Sequence, residues 1–129
     1  MQWRCLFHLG GMNSTELKER TMDFAVRVLR LADALPQTVS GQTLARQVAR
    51  SGTSVAANYR AALRGKSRAD FVNKVTIVLE EADETDFWIE LGERAGVVDA
   101  NKVGPLRREA EELVKIFAAT RRTARSEKS

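Results

Sequence analysis

The chain has 129 residues, 43% hydrophobic and 29% charged, with 21 lysines and arginines against 17 acidic residues and a net charge of +4. That length builds one hydrophobic core and is too short for two, and the composition is that of a globular protein rather than a disordered one. The one cysteine, Cys5, excludes an internal disulfide and a cysteine-built zinc site, and the one histidine, His8, removes the commonest general base and metal ligand from the rest of the chain.

The opening, MQWRCLFHLGGMNS, has an apolar stretch too short for a secretory signal, and no later run reaches the ~20 apolar residues of a membrane span. A reduced, cytoplasmic setting is the expectation. Organised sequence begins only after Met12, the expected natural start, so residues 1–12 are expected to be a disordered N-terminal extension.

Asn13 with Glu16 three residues later forms a capping-box pattern. Leu17, Phe24, Val28, Leu31, Ala32 and Leu35 then recur at helical spacing until Pro36, predicting helix one over about 14–35. PQTVSG reads as a loop. Helix two is predicted from about Gln42 to Arg64, ending on Gly65 as a left-handed terminator. Ser67 caps helix three with Asp70 at the box position, and Gly96 closes it after Arg94. Helix four is anchored by Asp99, carries Pro105 in its early turns and reaches about Arg122; residues 125–129 are expected to fray. Four helices joined by short connections predict an all-α, antiparallel up-down four-helix bundle over 13–124.

RGKS at 64–67 has the look of a phosphate loop, but Arg60 stands where the first glycine must be, and a helix precedes it instead of a strand. It is a helix end joined to a helix cap. Wound at about 100° per residue, helix two places Arg46, Arg50, Arg60 and Arg64 in one stripe about 80° wide. Leu44, Val48, Val55, Tyr59 and Ala62 form the opposite, core face, with Asn58 beside it as a helix-packing asparagine. Ala45, Ala49, Gly52 and Ala56 line one shoulder, small enough for a neighbouring backbone to come close. Residues 41–66 hold five basic and no acidic groups, whereas 67–98 hold three basic and eight acidic ones. The modest total hides two opposed fields.

The stripe has two readings. One is a solvated face, or a partner for the acids of helix three within the chain or across an oligomer interface. The other is a track for a nucleic-acid backbone, extended by Arg121, Arg122 and Arg125. On helix three, Glu81 and Glu84 have the i, i+3 spacing of bundle metal sites but lack the histidine, and they lie off the core face of Phe71, Val75, Val78, Ala82 and Ile89. No metal, cofactor or catalytic constellation is expected. Ile77 and Trp88, which flank Glu81 and Glu84, form a second contact surface, against a neighbouring helix or another subunit.

The stretches SGTSVAANYR (51–60), RGKSRADF (64–71) and EEADET (80–85) with Trp88 and ELVKIF (112–117) resemble the bacterial four-helix-bundle proteins, the intervening-sequence proteins of large-subunit ribosomal RNA genes. The resemblance covers nearly everything after Met12. Arg60, Ala61 and Ala62 stand where some members carry acidic and glycine residues. It implies a homopentamer without enzymatic activity. It also implies kinship with accessory subunits of retroelement reverse transcriptases, for which nucleic acid and the polymerase are partners.

Overall fold

The computed structural model describes residues 13–126, which fold into α1 (Ser14–Ala34), α2 (Val39–Leu63), α3 (Arg68–Arg94) and α4 (Ala100–Ser126). No strand occurs among the described residues. The connections are so short that consecutive helices run antiparallel. α1 packs on α2, α2 on α3 and α3 on α4, whereas α1 and α4 touch only sparsely. The result is a bundle with one loosely closed seam. The segment 1–12, expected as an extension, and residues 127–129 of the expected tail lie outside the described residues.

Each helix start is fixed by a side chain that occupies an otherwise orphaned backbone N–H. The Asn13 Oδ1 accepts from the Glu16 N–H at 2.8 Å, the Ser67 Oγ from the Asp70 N–H at 3.1 Å and the Asp99 Oδ1 from the Asn101 N–H at 2.9 Å. α2 departs from expectation. It begins three residues early because Thr38 caps it, its hydroxyl accepting from the Gly41 N–H at 3.0 Å. α4 runs unbroken through Pro105 and past Arg122 to Ser126, so Arg125 and Ser126 are helical rather than part of a frayed tail. The reason is visible at Ala124, which is buried in the core.

Gly96 ends α3 as expected, with φ of 73° and the Val97 N–H donating back to the Gly92 carbonyl at 2.9 Å. Gly65 does not take that role: among the described residues only Gly96 has positive φ. A side chain at Gly65 would press on the Ala62 carbonyl and the Asp70 carboxylate, each 3.0 Å from an added Cβ. Close approach, not handedness, accounts for this glycine.

The core matches the periodic reading. Phe24, Val28, Val48, Val55, Tyr59, Phe71, Val75, Val78, Ile89, Leu113 and Phe117 are all within 1% of complete burial. Tyr59 meets Phe117 edge-on, with ring centroids 5.1 Å apart. The small shoulder of α2 receives α1, and Gly52 sits against Val28. A polar tie marks the α2–α3 seam: the fully buried Thr85 hydroxyl donates to the Glu81 carbonyl at 2.8 Å and stands 2.8 Å from the Ser51 Oγ.

Candidate nucleic-acid interface

Five of the eight acids of α3 pair with arginines of its two neighbours. On the α4 side the half-buried Arg107 donates from Nε to the Asp86 Oδ1 at 2.7 Å and from Nη1 to the Glu93 Oε2 at 3.2 Å, with the Glu90 Oε1 at 3.4 Å. The hydrogen bond to Asp86 raises the Arg107 pKa above its already high value, against the opposing effect of burial. Removing this guanidinium leaves three carboxylates facing one another. Arg107→Met is therefore expected to lower the unfolding free energy by about 2 kcal/mol, between the exposed and fully buried limits for ion pairs. Urea unfolding at low and high salt checks it, and added salt should recover part of the loss.

On the α2 side, Arg50 is held by the Glu81 Oε2 at 3.0 Å and by Glu84, whose Oε2 also accepts from the Trp88 Nε1 at 3.0 Å. Basic α2 and acidic α3 thus meet here within one chain. Trp88 is half-buried against the core and edge-on to the exposed Phe87, with centroids 4.9 Å apart. Of the interface candidates, Glu81, Glu84 and Trp88 are engaged inside the chain, while Ile77 remains 38% exposed.

The arginine stripe is consequently uneven. All four of its members are exposed, but Arg50 is spanned by two carboxylates, whereas Arg46, Arg60 and Arg64 form no ion pair among the described residues. Asn58 donates within its own helix to the Ser54 carbonyl at 2.9 Å, and Tyr59 is buried in the core. Ser67 caps α3 as expected.

Antiparallel packing gathers further cations that the linear sequence keeps apart. The end of α2 (Arg60, Arg64), the following turn (Lys66), the start of α3 (Arg68) and the end of α4 (Arg121, Arg122, Arg125) all lie at one end of the bundle. A hollow of about 410 Å³ is lined by Arg121, Arg122 and Arg125, and another of about 460 Å³ by Ser67, Arg68 and Asn73. Arg125 lines both. None of these seven cations forms an ion pair among the described residues. Lys66 and Arg68 were missed by the sequence reading. The signal for them was topological: in an up-down bundle the end of one helix and the start of the next share a pole. No group of histidines, cysteines and carboxylates suited to a metal ion occurs among the described residues. No described helix is long and apolar enough to cross a membrane.

The family description "23S rRNA-intervening sequence protein" matches residues 13–119, which takes in nearly all of the four helices. No curated protein matches the chain. Among solved structures it is similar to a protein of unknown function from the S23 ribosomal protein family of Bacteroides thetaiotaomicron VPI-5482. The two share 33% identity and superimpose with a TM-score of 0.80 over 86% of this chain and 99% of that one. With the match spanning the same residues that build the bundle, the chain belongs to the 23S rRNA-intervening sequence protein family.

Proposed function

We propose that this chain is a non-enzymatic, self-associating helical bundle that holds RNA or DNA by its phosphate backbone, and that the contact centres on the basic pole. The observation that carries this reading is the cluster at one end of seven cations, drawn from three helices and a turn, that form no ion pair among the described residues. Clustered guanidinium groups left without internal carboxylates are the footprint that phosphate binding needs. Arg60 and Arg64 join the α2 stripe to this pole, Arg46 extends it, and Arg50 contributes least because two acids already occupy it. Among the described residues the exposed aromatic side chains do not interleave these cations, so the contact positions a strand without reading its bases.

The test is fluorescence anisotropy with mixed-sequence RNA and DNA 20-mers across a salt series. Neutralising about four phosphates gives a log–log slope of roughly −3 to −4. Arg121→Glu with Arg122→Glu, and separately Arg60→Glu with Arg64→Glu, should each flatten that slope, while Arg50→Gln should barely move it. Absence of binding at low salt would overturn the reading.

Self-association has its own support. Ile77, Phe87 and Leu91 on α3 are 38%, 53% and 41% exposed, a concentration of large apolar side chains that a solitary bundle leaves in water.

A further inference from the structure

The sparse α1–α4 seam leaves a groove. Two hollows, of about 500 and 370 Å³, share Arg27 and Arg30 as a common wall and so form one continuous trough along α1 from Arg20 to Ala34. Its lower half is floored by Leu31, Ala34, Val103 and Leu106, and Lys102 faces Arg27 and Arg30 across it. Arg20 is engaged by Glu109 at 2.7 Å and closes the far end. Arg27, Arg30 and Lys102 form no ion pair among the described residues. The lower half is apolar below and positive at its rim, while the upper half also carries the exposed Asp23 among its lining.

The outward face of α3 has the opposite character. At about 100° per residue, Ile77, Glu80, Phe87 and Leu91 fall within one arc of roughly 80°, and Asp83 borders it. Glu80 and Asp83 are exposed and, unlike Glu81 and Glu84, form no ion pair among the described residues. The lengths agree as well. Ile77 to Leu91 and Arg20 to Ala34 each span roughly 21 Å of helix at 1.5 Å per residue.

We propose that the acidic, apolar face of α3 in one copy seats in the basic-rimmed α1–α4 trough of the next. Glu80 and Asp83 then meet Arg27, Arg30 and Lys102, while Phe87 and Leu91 cover the apolar floor. The two surfaces are different patches of the same chain, so the contact is head-to-tail and propagates around a closed ring or along a filament, never as a two-fold dimer. Nucleic acid fits the trough less well, because its floor is aliphatic and Phe24, the aromatic ring lining it, is buried. The inference rests on the self-association reading above and adds the surfaces that would carry it.

The test is size-exclusion chromatography with light scattering on four forms of the full chain. Arg27→Glu with Arg30→Glu reverses the rim, and Glu80→Arg with Asp83→Arg reverses the face. Each pair alone is expected to dissociate the assembly at least tenfold more readily than wild type. All four substitutions in one chain are expected to restore the wild-type mass, since complementarity returns with its sign exchanged. These positions are exposed, and unchanged helical circular dichroism confirms that every variant folds. A wild type monomeric at all concentrations defeats the self-association reading itself. An oligomeric wild type whose mass neither pair changes, or whose loss the fourfold variant does not repair, defeats this docking alone. Rim reversal that weakens RNA binding while leaving the mass unchanged would assign the trough to nucleic acid and also overturn it.

Discussion

Gly52→Leu is expected to lower the unfolding free energy by about 3 kcal/mol, the upper range for overpacking a well-filled core. A Cβ built on Gly52 would lie 2.6 Å from the Val28 Cγ1 and 2.8 Å from its Cβ, and Val28 is itself completely buried with nowhere to retreat. The α1 and α2 backbones must therefore separate along the shoulder formed by Ala45, Ala49 and Ala56. Gly52→Ala makes a subtler contrast, because the lost glycine entropy returns ~1 kcal/mol of helix stability while the same first clash remains. Combining Gly52→Ala with Val28→Ala removes the opposing methyls. The pair should destabilise by less than the sum of the single changes, the mark of two residues in direct contact. Thermal and urea unfolding of the three alanine variants and Gly52→Leu measure this. Strict additivity, or a leucine variant as stable as wild type, would mean that the α1–α2 approach is looser than the structure has it.

How much of this was legible in the sequence depends on whether one helix or two had to be read. Burial along a single helix follows from a 3.6-residue period, so the core faces from Leu17 to Phe117 and the small shoulder at Gly52 were visible without any partner. The terminators were less so. Gly65 and Gly96 look alike in sequence, and only the approach of the Asp70 carboxylate distinguishes a packing glycine from a left-handed one. The candidate site needed two helices at once. Nothing in the spacing of Arg50 says that it faces α3 closely enough to reach Glu81 and Glu84, whereas Arg46 and Arg60, on the same stripe, do not form such a pair. Likewise Arg68 and Arg125 are 57 positions apart and meet at one hollow only because α3 begins where α4 ends. Long-range electrostatics is a property of the packed rods, and a helical wheel holds one rod at a time.

The second large expected effect is alkaline. Tyr59 is completely buried, its hydroxyl finds no hydrogen-bond partner among the described residues, and it is the only tyrosine in the chain. Burial pushes its phenol well above the usual value near 10. Because the folded pKa is raised, the contribution is fully present below the unfolded value and is lost as pH rises past it. Above about pH 10 the unfolded chain releases the phenolic proton and the folded one keeps it. Stability from this group should fall by up to ~1.4 kcal/mol per pH unit, or ~2–3 kcal/mol by pH 12. Lysines titrate in the same window, so the readout is the difference between wild type and Tyr59→Phe, which lacks the phenol and should lose that part of the slope. At neutral pH the same substitution removes an unpartnered hydroxyl from the core and is expected to leave stability unchanged or raise it by ~1 kcal/mol. Absorbance at the tyrosinate band adds a direct check. With one tyrosine the signal has a single source, and it should appear together with loss of helical circular dichroism. A tyrosinate band that develops near pH 10 while the helices persist would show the ring reached by solvent, and with it the Tyr59–Phe117 centre of the bundle.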